Sequence, residues 1–497
     1  MTSPLSPEEA WQPLPAGDWN VDAARHFLRR VGWTAKPADV ERVAADGPAR
    51  TLDRMFPTEG PSLAKPESVA KLDEDAGGYA GRLAAMAPAD RRALERQERE
   101  KSRAAIADIG VRWIQFATQP DNAAFQKWLF FLSGLYVVGA DKVPRARLIY
   151  QYFDMLARHS LGSAPTLVKA VSRSPAMILY LDLQENRREA PNENFARELF
   201  ELFLLGEGNY TERDIKESAR AFTGYRIRPP GEFAFAPRQH DPGVKTIFGH
   251  SGNFTGDDVI DLAFAQPAAG TWMPRKMVAY YLSDTPLPAG HLEVLGAEWR
   301  GAGYDLRWLV RRFFGSRLFY QPEFRGNFIK GPVQFYAGLL QDLELDGIPL
   351  PRYGLGPLRQ MGQVPFYPPN VRGWLGGRSW VNSGSLAARR SLVESVFHPL
   401  NIANLTADEQ AEIEAAVSQR RGNFTVSDAR LNALAAQDPD AAVRSMTGDL
   451  LAVPAGPAMR AALGHFIAAG PANTPERLRR VRRALITLLD TPEYQLC

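Results

Sequence analysis

Four ionisable side chains, Glu193, Arg197, Glu198 and Glu201, fall in one short stretch, NENFARELFELFLLG from Asn192 to Gly206. Wound as an α-helix, which advances about 100° per residue, these four and Asn194 share an arc of about 140°. Phe195, Leu199, Leu202 and Phe203 take the opposite side. Carboxylates gathered in this way perform acid/base chemistry when a shared, desolvated environment shifts their pKa values, or they hold a divalent cation. They can equally satisfy one another. Glu193 with Arg197 and Arg197 with Glu201 are i,i+4 pairs, each contributing about 0.2–0.5 kcal/mol on an exposed face.

The element that follows bears on which reading holds. Thr211 and Asp214 form a capping pair, Gly224 supplies a stop, and Arg220 projects from the last turn between them. Two helices joined by a short turn pack closely, so an inward acidic face would meet Arg220 as well as Arg197. Glu193, Arg197, Glu198, Glu201 and Arg220 are therefore the candidate acid/base set. An oxygen-rich cluster suits magnesium, calcium or manganese, and one histidine extends the choice to zinc or iron. Glu198, Glu201, His240 and Asp241 are the candidate ligands of such a metal. Adjacent residues on an extended chain point to opposite faces, so His240 and Asp241 read also as a hydrogen-bonding pair at the surface. Lys245 follows within the same turn. His159 closes a helix, where it serves the dipole as readily as it would serve catalysis, and His26 reads as a packed core histidine.

A second constellation lies in the loop PPNVRGWLGGRSWVN, from Pro368 to Asn382. Its glycines allow close backbone approach, while Asn370, Arg372, Trp374, Arg378 and Trp380, with Lys245, could contact a substrate or a partner. A tryptophan face beside an arginine fork suits a sugar ring or an anionic group. The bland alternative is a rigid loop closing over the helices. The chain has no P-loop ending in Lys-Ser/Thr, no GxSxG elbow, no HExxH pair and no dinucleotide fingerprint.

The elements that must position these groups are mostly helical. Residues 1–20, rich in proline and small polar residues, read as an arm. A main helical domain over 21–395 follows, with a C-terminal helical region, 396–497, packed on it. A long charged helix is expected over Ala89–Ile109 with a cap-like Asp90, and the apolar periodicity from Phe125 to Leu205 marks the core. Between about 227 and 255 the pattern shifts to prolines, glycines and alternating aromatics, which predicts a small β-hairpin insertion. Helices are expected again at Met273–Tyr281, Leu306–Phe314 and Gly331–Leu343, then a turn-rich loop over 365–382. The phrases at 316–326 and 488–495 each place a Pro-Glu-aromatic triplet after an apolar helix, which suggests a shared helix ending.

Bulk properties restrict the function further. With 45% hydrophobic and 23% charged residues, the composition is that of a globular protein, not of a disordered or fibrous one. A formal charge of +3 from 59 basic and 56 acidic residues leaves no footprint for nucleic acid or an anionic membrane. The arginines of 477–483 read as a solvated helix face. Cys497 is the only cysteine, so an intrachain disulfide and a thiolate zinc site are excluded. No long apolar run or signal-like start is present, so no membrane span is expected and the default address is the cytoplasm; a start site placed too far downstream would hide an export signal.

RHFLRRVGW at 25–33, PAMILYLD at 175–182, PNENFARELFELFLLG at 191–206, YTERDIKESARAFTGY at 210–225, HDPGVK at 240–245 and the 368–382 loop occur in that order. Together they resemble the large bacterial family known as domain of unknown function 1800, over nearly the whole chain down to TPEYQ. The resemblance brings no assigned activity. It implies a partner of the alkaline phosphatase and sulfatase type, because genes of the two kinds often adjoin. It also implies a histidine after the aromatic pair at Phe130 and Phe131, where this chain has Ser133, and that departure weakens a metal site. The leading expectation is an enzyme, a hydrolase using the carboxylate and arginine cluster with or without a divalent metal. The alternatives are a non-catalytic assembly protein whose Trp374 loop docks a partner, and a carbohydrate-binding protein built on Trp374 and Trp380.

Overall fold

Prolines and side-chain caps decide where the helices of the computed structural model begin, across the residues it describes, 5–73, 86–229 and 231–497. The Glu212–Ala221 helix carries the expected capping box: Thr211 Oγ1 accepts from the Asp214 N–H at 3.2 Å, and the Asp214 carboxylate accepts from the Thr211 N–H at 2.9 Å. Leu306–Phe314 has the expected bounds, capped by Asp305. Pro332–Leu343 starts on its proline, with Gly331 as the cap. The long charged helix spans Pro88–Ala117. Pro88 takes its first position, so Asp90 sits in the first turn, favourable to the helix dipole, and the cap is Ala87. The first four residues of the expected N-terminal arm lie outside the described residues; the rest includes a short capped helix, Pro7–Ala10.

The structure is 63% helical, and the strands among the described residues form two small antiparallel hairpins, so the mostly α expectation holds. One hydrophobic cluster extends from Ala10 to Tyr494. The Ala123–Leu135 helix lies at its centre, with Trp128 and Leu132 fully buried. Trp33 and Trp113 meet edge to face there, their centroids 6.4 Å apart. Leu485, Leu489 and Tyr494 from the C-terminal helices belong to the same cluster. The two Pro-Glu-aromatic triplets form matching 3₁₀ turns, Pro322–Phe324 and Pro492–Gln495, each burying its aromatic ring. An isolated antiparallel bridge between Ile329 and Leu496 joins the segments that follow them. No helix among the described residues is long and apolar enough to cross a membrane.

The single hairpin expected over about 227–255 is in fact two. Tyr225–Arg228 pairs with Glu232–Phe235, and Lys245–Ile247 pairs with His250–Gly252. A 3₁₀ turn at Pro237–Gln239 interrupts the path between them. The second hairpin closes on a two-residue turn in which both Phe248 (φ +49°) and Gly249 (φ +79°) are left-handed, the geometry that matches strand twist.

Candidate functional site

The acidic segment does not continue as one α-helix. Asn194–Glu198 is α-helical, then Leu199–Leu204 widens into a π-helix, with the Leu205 N–H bonding to Phe200 O at 2.9 Å, five residues back. Leu199, Phe200, Leu202, Phe203 and Leu204 are all buried, so core packing surrounds this turn on every side but that of Glu201. The wider turn turns the Leu202 carbonyl outward, where Trp272 Nε1 donates to it at 2.9 Å. Gly206 (φ +80°) closes the segment, and a Cβ there would lie 2.5 Å from the Trp272 ring.

This local geometry redistributes the ion pairs. Arg197 reaches back to Glu193 at 3.1 Å and grips both oxygens of Glu212 at 2.8 Å. The expected Arg197–Glu201 pair is absent from the ion pairs of the described residues, because the extra residue in the π turn breaks the i,i+4 alignment. Glu201 instead accepts from Arg372 Nη2 at 2.7 Å and from the Tyr210 hydroxyl at 3.3 Å. Arg372 also lies 3.5 Å from Glu207. Burial and the neighbouring Glu201 push the Tyr210 phenol up to about 12.

Glu198 differs from its neighbours. It is half-buried and, among the described residues, makes no ion pair. Burial, and next the charge of Glu201, raise its pKa above the usual carboxylate range, against the opposing pull of Arg372 and Arg197. The pKa of the Tyr180 phenol is raised by burial and then by the charge of Glu198.

Arg220, His240, Asp241 and Lys245 form a separate network. Arg220 donates from Nε to Asp241 Oδ2 at 2.7 Å and from Nη1 to Glu217 Oε2 at 2.9 Å. That fork holds the Asp241 carboxyl below its ordinary pKa. Lys245 Nζ donates to the Asp241 carbonyl at 2.7 Å and the Gly243 carbonyl at 3.0 Å. Glu217 accepts from the Thr246 N–H at 3.0 Å, and Asp214 accepts from the Phe248 N–H at 2.7 Å. The second hairpin is thereby fastened to the Glu212–Ala221 helix. His240 Nδ1 donates to the Thr223 carbonyl at 3.0 Å, and its ring packs 5.2 Å from Phe235. Among the described residues, no group of three or more His, Cys, Asp or Glu side chains is placed to hold a metal ion. Glu201 and Asp241 each face a guanidinium instead.

The 368–382 loop lies against the acidic segment through Arg372. Asn370 Oδ1 accepts from the Arg372 N–H at 2.9 Å and turns the chain. Gly373 (φ +75°) passes so close to the Ala123–Leu135 helix that a Cβ would lie 2.7 Å from Gly134 O. Trp374 packs its ring 5.3 Å from that of Phe130, and its buried Nε1 has no acceptor among the described residues. Ser133 donates to Phe130 O at 2.8 Å and, with Trp374, lines a cavity of about 10 Å³, room for one water. Trp380 is half-buried and Arg378 exposed, while Leu375 is 73% and Val381 46% exposed.

Residue spacing alone misses several participants. Glu217, three positions before Arg220, carried an i,i+3 signal, and Glu212 stood in the first turn of its helix. Tyr180, Tyr210 and the meeting of Glu201 with Arg372 across 171 positions had none. A family model described as "Protein of unknown function (DUF1800)" matches residues 26–496. The chain belongs to this family. No curated protein and no solved structure matches it. The acidic segment, the hairpin clamp and the Trp374 loop all lie within the DUF1800 match. Ser133 does too, at the position where the resemblance implies a histidine.

Proposed function

We propose that this DUF1800 protein is an acid/base enzyme, a hydrolase, with Glu198 as the proton donor and Glu201 as the carboxylate beside it. The observation that carries this reading is the contrast between two carboxyls three residues apart. Glu198 is half-buried, lacks a counter-ion and has a raised pKa, whereas Glu201 is fixed by Arg372 and Tyr210. Environments that separate two carboxyls in this way assign one to give a proton and the other to remain ionised. Arg197 and Arg220 are positioning residues: the first ties the segment to Glu212, the second secures the hairpin that carries His240, Asp241 and Lys245. A divalent cation bound at Glu198 and Glu201 would have to displace the Arg372 guanidinium, so a metal-free mechanism fits better. Chromogenic esters, phosphoesters, glycosides and peptides, assayed with wild type and Glu198→Gln, test the proposal. The expected result is a hydrolytic activity that falls by about 10² or more in the variant with its melting temperature kept. A variant that retains the activity, or that loses its fold, refutes it.

A second reading is favoured by the exposed apolar tip of the Trp374 loop, Leu375 and Val381. There the protein is a non-catalytic assembly factor, and the loop docks the alkaline phosphatase or sulfatase-like partner that the resemblance implies. Co-purification with that partner, abolished by Leu375→Asp, supports this alternative. The carbohydrate reading retains Trp380 as a platform, but one face of Trp374 is taken up by Phe130.

A further inference from the structure

Away from the acidic segment, a cavity of about 310 Å³ opens between the N-terminal and C-terminal parts of the chain. The Val21–Val31 helix presents Asp22, Arg25, His26 and Arg29 to it, positions i, i+3, i+4 and i+7 of one face. Arg325 comes from the turn after Pro322–Phe324. Arg444 projects from the Pro439–Leu450 helix, and Arg460 from Pro457–Ala468. Leu451, Val453, Pro454 and Ala455 give the same space an apolar wall.

The charge balance of this lining is one-sided. Five arginines face one aspartate, and Asp22 is already paired with Arg25 at 3.2 Å. Among the described residues, Arg444 and Arg460 make no ion pair, and Arg325 Nε has no acceptor. Arg29 is the most telling of the five. It is 2% exposed and uses Nη2 on the Asp449 carbonyl at 2.8 Å, yet its buried Nε and Nη1 have no acceptor among the described residues. A buried guanidinium with unmet donors costs free energy unless an anion meets it.

We propose that this cavity binds the phosphate group of a small phosphate monoester, with its carbon skeleton against the Leu451–Ala455 wall. A phosphate brings about −1.5 to −2 charge at neutral pH and three acceptor oxygens, enough to engage several guanidiniums at once, whereas a carboxylate carries one charge on two oxygens. The cavity matches the lower end of small-ligand sites, about 300 Å³. None of its lining residues belongs to the Asn192–Gly206 segment.

Glycerol phosphate is the probe, added to the full chain and followed by thermal shift and calorimetry. Inorganic phosphate, acetate and sodium chloride at matched ionic strength are run beside it. Glycerol phosphate is expected to bind saturably and more tightly than any of the three. The double variant Arg444→Ala/Arg460→Ala changes two exposed side chains and should weaken binding by about tenfold or more with the unliganded melting temperature unchanged. Ala452→Glu, which adds a carboxylate to the wall, should weaken it comparably. Binding no better than that of chloride, equal binding by the double variant, or tighter binding of acetate overturns the proposal. Inorganic phosphate binding more tightly than the ester overturns the claim of an organic ligand.

Discussion

Removing Arg372 tests whether the loop and the acidic segment form one unit. Its guanidinium meets Glu201 at 2.7 Å and Glu207 at 3.5 Å, and its side chain is 58% exposed against 17% for Glu201. An exposed ion pair contributes about 0.2–1 kcal/mol, and solvent around Arg372 keeps this pair within that range. The buried side of Glu201, already desolvated and bonded to Tyr210, places it at the upper end, so the coupling in a double-mutant cycle of Arg372→Met with Glu201→Gln should be about 1 kcal/mol. Arg372→Met alone removes the cation of the loop that opposes the rise of the Glu198 pKa. Its cost should therefore be greater at pH 8 than at pH 4, because Glu198 loses its proton as pH rises through its raised folded-state value. Urea unfolding of the four proteins at both values measures this, with tryptophan fluorescence reporting on the loop. A coupling under about 0.3 kcal/mol, or a cost of Arg372→Met that is the same at both pH values, refutes the reasoning.

Three further outcomes follow from the same contacts. The carboxyl of Glu198 has a raised folded-state pKa, so its contribution to stability is present below the unfolded value and is lost as pH rises through the folded one; Glu198→Gln should gain stability relative to wild type on going from pH 4 to pH 8 in urea titrations, and a loss would contradict the assigned burial. For Asp241 the sign reverses, because Arg220 lowers its pKa: its contribution is present above the ordinary carboxylate value and is lost as pH falls through the folded one. Asp241→Asn should accordingly cost about 1 kcal/mol near neutral pH and little in strong acid, and a cost independent of pH would remove the clamp from the account. Gly373→Ala combines a left-handed backbone with a Cβ 2.7 Å from a carbonyl oxygen and should destabilise by about 2 kcal/mol or more, whereas a neutral result in thermal melts would mean that the loop does not lie on the Ala123–Leu135 helix.

Much of the fold was legible because local chemistry sets it. The Thr211–Asp214 capping box, Asp305 before Leu306 and Pro332 each mark a helix start within a residue or two of the expected place. The hairpin region was legible in character but not in number. Alternating aromatics announce strands, whereas the break at Pro237–Gln239 is held by long-range contacts of Gln239 with Arg188 and Arg226. The candidate site was legible as a location. Its wiring was not, because Glu201 and Arg372 meet only through tertiary packing.

The π turn explains why helical periodicity gives the wrong ion-pair partners for Arg197 and Glu201. On a uniform α-helix, Arg197 would bridge Glu193 and Glu201, and the segment would neutralise its own acids on an exposed face. Leu199–Leu204 removes that option: Glu201 is carried to Arg372, Arg197 is left for Glu212, and Glu198 remains between them with no cation of its own. Such a turn has a backbone cost, met here by Trp272 on Leu202 O and by the left-handed Gly206. If the segment served only to link helices, a regular α-helix with two i,i+4 pairs would do so at less cost. The distortion separates the surroundings of the two carboxyls, and the proposed acid/base role rests on that separation.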